Sequence, residues 1–129
     1  MTFTPLPDFT ERIAGEVIGS GIAVHRELGP GFIEKVYQEA LCIELHARGL
    51  SYERERAIVV RYRGVAIPGQ RIDLIVAQCV LVELKAITRI DLAHEAKVLS
   101  YLRTTGLRLG FLLNFNCRTL KEGIKRIVV

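Results

Sequence analysis

The sequence lacks any apolar run near the roughly 18–20 residues that a membrane span needs, because Asp73, Gln78, Glu83 and Lys85 interrupt its most hydrophobic region. Its stretch Met1-Thr2-Phe3-Thr4-Pro5-Leu6-Pro7 has neither the basic start nor the apolar segment of a secretory leader, so the cytoplasm is the expected compartment. Cysteine is scarce and unpatterned. Cys42, Cys79 and Cys117 are odd in number, far apart, and form no C-x-x-C, which excludes a disulfide framework and leaves them as reduced core or turn residues. His25, His46 and His94 are equally scattered, and no zinc-ligand spacing results. Internal repeats and low-complexity tracts are absent too.

What is present is enough for one packed domain, residues 1–129. Half of the residues are hydrophobic and a quarter charged, a balance that excludes a disordered chain. The net charge of +4 is unevenly spread: residues 1–55 carry five Lys/Arg against nine Asp/Glu, and residues 97–129 carry seven against one. A basic C-terminal third suits a phosphate-bearing partner, and equally a merely solvated surface.

Asp8 followed by Glu11 reads as a helix cap with its reciprocal partner. Ile13, Val17, Gly21, Val24 and Leu28 then line one face of a helix that Gly29-Pro30-Gly31 must end. A second helix starts near Phe32, with an arc of Val36, Tyr37, Ala40, Leu41 and Leu45, and leaves at Gly49. Glu34 sits beside that arc. From Tyr52 the period falls to two and β-branched residues dominate, up to Gly64. A turn containing Pro68-Gly69 leads into a hairpin, Arg71–Val76 and Val80–Ile87, whose strands are apolar on both faces. Asp91 caps a third helix, Leu92–Thr104, closed by Gly106. Leu107–Phe115 reads as a buried strand and Ile124–Val129 as a short last one. The expected class is α/β (α+β), a mixed β-sheet flanked by helices in the order α-α-β-β-β-α-β(-β).

Chemistry concentrates in the hairpin. With Gln78 at the centre of its turn, Asp73 faces Glu83, and cross-strand partners lie about 4.5–5.5 Å apart at Cβ. Two carboxylates opposed inside apolar strands need a compensating cation. Lys85 supplies one charge from the same face, and a hard divalent ion held by oxygen ligands would supply the rest. A buried Asp73/Glu83/Lys85 cluster closed by its own ion pairs is the alternative, although such clusters are costly to assemble for stability alone. A slip of one residue in register would send Asp73 to the opposite face.

Asp73 followed after nine residues by Glu83-Leu84-Lys85, behind an acidic helix and ahead of a helix and strand, resembles the core of the PD-(D/E)XK nuclease superfamily. Gly31-Phe32-Ile33-Glu34-Lys35-Val36-Tyr37, with Asp73–Val76, Val82–Ala86 and His94-Glu95-Ala96, resembles the narrower GxxExxVY family from about Ile13 to Val128. The resemblance implies a restriction-endonuclease-like fold and a metal-dependent nuclease that hydrolyses phosphodiesters by attack of metal-activated water. It implies Mg²⁺ or Mn²⁺ on Asp73 and Glu83, with the Leu84 carbonyl as a third ligand. Lys85 would orient the water and stabilise phosphate charge, and Glu34 would help hold the metal or position Lys85. Glu44, its rival on the same helix, stands about 15 Å away. Lys97 and Tyr101, four apart on the third helix, share a face and form the implied phosphate-binding pair. Lys97 stands where related exonuclease-like members carry Gln, a departure that bears on catalytic competence.

His94 and Glu95 read as helix-start residues, Glu53–Arg56 as a solvated run, and Asn114 and Asn116 as turn or cap residues. Two further readings compete with a nuclease. One is a catalytically inactive nuclease-fold module that binds nucleic acid or a protein partner; the other is a homodimer, an arrangement a small nuclease also uses to grip a duplex. No base-reading motif decides between DNA and RNA.

Overall fold

A computed structural model describes residues 4–129; Met1–Phe3, the start of the stretch read above as leaderless, lie outside the described residues. Two helices come first, α1 (Asp8–Leu28) and α2 (Glu34–Ala47), followed by β1 (Tyr52–Tyr62), β2 (Val65–Val76) and β3 (Val80–Lys85). Then come α3 (Leu92–Thr105), β4 (Leu109–Asn114), a 3-10 turn over Leu120–Gly123, and β5 (Ile124–Val128). The five strands form one mixed sheet in the order β1-β2-β3-β4-β5, antiparallel except where β4 lies parallel to β3. That parallel pair needs a crossover, and α3 supplies it.

Helices cover both faces, which is why the central strands read as continuous apolar runs. On one face Ile13, Val17, Val24, Tyr37, Leu41 and Leu45 pack on Leu74, Val76, Val82, Leu84 and Leu113. On the other, Val98, Tyr101 and Leu102 of α3 pack on Ile58, Ile72, Ile75, Leu81 and Leu112. Each such side chain stabilises the fold by about 1.5–3 kcal/mol relative to exposure. Gly110 sets the spacing of α3: a Cβ there would lie 2.9 Å from Val98 Cγ1.

The hairpin register is the one the sequence predicts. Leu74 pairs with Val82, Ile75 with Leu81 and Val76 with Val80, around Ala77 and Gln78, both at positive φ (50° and 60°). Asp91 caps α3 as expected, accepting from the N–H groups of Ala93 and His94 while His94 Nδ1 accepts from the Asp91 N–H.

Four local expectations change. Asp8 is the first residue of α1 rather than its cap; Pro7 holds the cap position and no side chain bonds the helix end, so Asp8 and Glu11 act on the helix dipole instead. The second helix begins at Glu34, two residues after Phe32, because Phe32 is drawn into the loop by a bond described below. The fourth strand begins at Leu109 instead of Leu107, whose N–H is taken by the Thr105 hydroxyl. Pro68-Gly69 makes no turn. The chain reverses at Arg63-Gly64, where φ values of 50° and 80° give the two-residue turn that suits strand twist, and β2 then runs through Pro68-Gly69. The register passes from Val60↔Ile67 to Ile58↔Gln70, so Pro68 and Gly69 together oppose Val59 as a bulge.

Candidate active site

The β2–β3 ladder ends at Leu74↔Val82, one step before Asp73 and Glu83 would pair. Side chains take over there. Asp73 N–H donates to Glu83 Oε1 at 3.0 Å, and Leu84 N–H donates to Asp73 Oδ2 at 2.8 Å. The two carboxylates thus stand together, fixed by each other's strand. The irregularity has a backbone cause on the neighbouring strand, where Glu55 adopts φ 48° between the pairs Arg54↔Leu74 and Arg56↔Ile72. Across it β1 changes face: Arg54 meets Glu39 of α2, whereas Ile58 packs with α3.

Glu83 is buried, with 2% of its surface exposed, and Asp73 is half-buried. Burial, and then the adjacent Asp73 charge, push the Glu83 carboxyl up to about 7. Burial also raises Asp73, outweighing the Leu84 N–H and the positive charge of Lys85. Glu34, the first residue of α2, is raised by burial and by Asp73, which places it in the same electrostatic neighbourhood. Glu44 is elsewhere, paired with Arg48 at 2.9 Å.

Lys85 closes β3 and is half-buried. From α3, the Lys97 ammonium lies 5.7 Å from the centre of the Tyr101 ring, so the two do share a face. Partial burial works against the Lys97 charge, but Tyr101 and Glu83 outweigh it and hold its pKa above the ordinary lysine range. Burial raises Tyr101 in turn, and its ring is part of the α3 core. Among the described residues neither Asp73 nor Glu83 is ion-paired within 4 Å to any lysine or arginine. A cluster closed by its own ion pairs is therefore not what forms.

Two supporting residues escaped sequence reasoning. Tyr37, read only as part of an apolar arc, donates its hydroxyl to Gly29 O at 2.6 Å and accepts from Phe32 N–H at 3.1 Å, while its ring stacks on Phe115 at 4.5 Å. It ties down the loop that delivers Glu34. The spacing Gly31-x-x-Glu34-x-x-Tyr37 was the available signal, since Tyr37 lies one helical turn beyond Glu34 and its hydroxyl reaches back to the loop. Asn114, read as a strand-end residue, clasps Ile87 by bonds to both its N–H (3.1 Å) and its carbonyl (3.0 Å), fixing the chain just after Lys85. His94 serves the α3 cap, and His25 is buried with Nε2 2.8 Å from Cys117 O.

A family model described as the PD-(D/E)XK nuclease superfamily matches residues 11–127. The chain belongs to that superfamily. Its helices and mixed five-stranded sheet fit the restriction-endonuclease-like fold, and Glu83-Leu84-Lys85 spells the E-x-K of the superfamily's name. Nucleases of this superfamily generally use divalent metal ions. No curated protein and no solved structure gives a significant match. Among the described residues no three His, Cys, Asp or Glu side chains are grouped closely enough to enclose a metal by themselves. Two carboxylates with a backbone carbonyl nonetheless fit a hard ion that keeps several of its waters.

Proposed function

We propose that this protein is a divalent-metal-dependent nuclease, with Mg²⁺ or Mn²⁺ held by Asp73, Glu83 and the Leu84 carbonyl. The observation that carries the reading is the placement of two carboxylates side by side at the end of β3, one of them buried, with no lysine or arginine within 4 Å of either among the described residues. Such a pair is stabilised by a cation from solution. The chemistry a bound ion supplies is a water acid enough to lose a proton near neutrality and relief of charge on the phosphate. The chain's own groups do the rest. Lys85 donates to a phosphate oxygen on the side where charge gathers, Glu34 accepts from waters on the α2 side, and Lys97 beside Tyr101 binds a neighbouring phosphate as a point charge. The narrower resemblance is supported by the Tyr37 clasp, which gives the Tyr of the spacing Gly31-x-x-Glu34-x-x-Tyr37 a task, with one residue fewer between Glu34 and Val36 than the name GxxExxVY has.

Titration of Mn²⁺ and Mg²⁺ into wild type and Asp73→Asn, with the same samples incubated with plasmid, linear duplex and single-stranded substrates, tests the proposal. Asparagine keeps an oxygen for the Leu84 N–H, so the fold is retained. Binding heat and cleavage are expected to vanish together in the variant; unchanged cleavage by Asp73→Asn would remove the proposal. Lys97 motivates a second reading, a nuclease fold that binds nucleic acid without turnover, because its charge already offsets part of what an ion would neutralise. Salt-sensitive binding with neither metal uptake nor product supports that reading.

A further inference from the structure

Beyond Asp73 the hairpin of β1 and β2 leaves the body of the sheet. Every residue from Val59 to Arg71 is exposed, and β2 has only β1 as a partner there. From Ile72 to the turn at Gly64 is about 25 Å at 3.3 Å per residue. The hairpin springs from the end of β2 that carries Asp73, so whatever occupies the site passes beside it.

The charge of this arm has one sign. Residues 56–72 contain Arg56, Arg61, Arg63 and Arg71 and no acidic residue. Arg56 lies 3.9 Å from Glu53, whereas Arg61, Arg63 and Arg71 have no ion pair among the described residues. Of the seven cations in the basic C-terminal third, the surface the sequence pointed to, four are engaged within the chain. Arg126 pairs with Glu11, Lys125 with Glu95 and Arg118 with Glu122, and Arg108 binds backbone carbonyls of Thr4, Pro5 and Val129.

Register sorts the arm into two faces. Ile58 packs towards α3, and Val60 paired with Ile67 and Tyr62 paired with Val65 continue that side as an exposed apolar surface. Arg61, paired with Ala66, and Arg71, paired with Ala57, stand on the reverse. Ile72 also packs towards α3, and Arg71 and Asp73 flank it in sequence at the root of the arm. The basic residues of the arm therefore begin two residues from the first carboxylate of the site.

We infer that the β1–β2 arm grips double-stranded nucleic acid flanking the phosphate in the site, with Arg61, Arg63 and Arg71 on the backbone. This rests on the nuclease reading for the identity of the substrate. A two-stranded ribbon has the width that a B-form major groove admits, and three unpaired arginines release counterions when they meet phosphates.

Binding of a 25-base-pair DNA duplex without divalent metal, followed by fluorescence anisotropy between 50 and 200 mM salt, tests the arm apart from catalysis. The variant is Arg61→Gln/Arg63→Asn/Arg71→Gln, with Asn at 63 because it tolerates the positive φ there. Loss of three phosphate contacts is expected to flatten the log–log salt dependence by about 2.7, so that wild type loses about 40-fold more affinity than the variant across that range. Equal slopes, or a single strand of the same length bound as tightly as the duplex, overturn the proposal. So does a wild-type dimer that Tyr62→Glu/Ile67→Glu converts to monomer while the arginine variant binds normally, since the arm would then be a pairing element. Hydrolysis of thymidine 5′-(4-nitrophenyl) phosphate, too small to reach the arm, separates the two ideas. It is expected to survive in the arginine variant and to be lost in Asp73→Asn. Its absence in wild type with the salt effect intact counts against the nuclease reading and leaves the arm standing.

Discussion

Glu83 makes the state of this protein depend on pH. Its carboxyl titrates near 7 in the folded chain and about 4.3 in an unfolded one. The native state therefore holds an extra proton between those values, and the stability this provides is full below the unfolded pKa and lost as pH rises through the folded one. Metal-free wild type is expected to lose on the order of 2–3 kcal/mol between pH 4.5 and 7.5 through this group, and Glu83→Gln to lose much less; urea titrations at several pH values check it. Proton and divalent ion compete for the same oxygens, so Mn²⁺ affinity should climb steeply up to about pH 7 and level off above it. Tyr37 offers a second test at this scale. Tyr37→Phe removes both hydroxyl bonds, leaves the Phe32 N–H short of a partner, and should cost about 1–3 kcal/mol in denaturant unfolding. Because that loop delivers Glu34, cleavage should fall further than the loss of folded protein explains.

Among the elements, the β2–β3 hairpin was the most legible in the sequence. Its apolar runs are punctuated by Gln78, and only one register leaves Asp73 opposite Glu83, so spacing sufficed. The Asn114 clasp was hidden because its partner lies 27 residues away, and the reversal at Glu55 because it rests on a backbone angle that no side-chain pattern encodes; Tyr37 was missed because its place in an apolar arc masked a hydroxyl that bonds locally. Pro68-Gly69 misled because the pair normally signals a turn; here Arg63-Gly64 reverses the chain first and leaves Pro68 to a bulge in a strand free on one side. The site residues were legible as types at a spacing, and the helix that brings Glu34 to them was legible through its apolar arc. The Asn114 clasp predicts a distinct phenotype. Asn114→Leu strands the Ile87 N–H and carbonyl and should destabilise by about 2–4 kcal/mol by differential scanning calorimetry, with Asn114→Asp, which retains the acceptor, losing less.

For the whole molecule, ion binding and folding are one equilibrium. An ion that binds only the native chain should raise its stability by RT ln(1 + [L]/Kd), about 2.7 kcal/mol at a hundredfold excess over Kd, and the rise in Tm should disappear in Asp73→Asn. The exposed arm adds a constraint of another kind. Two strands standing clear of a sheet present two rows of free N–H and carbonyl groups, an open template on which further chains could add edge to edge. Pro68 removes one donor from the β2 row, the bulge at Gly69 breaks its spacing, and like-charged arginines along the ribbon repel a second copy. Straightening that edge with Pro68→Val and Gly69→Val should make concentrated protein scatter light within hours, more than wild type does under the same conditions. The irregularity that looked like a turn is then a guard against fibre growth.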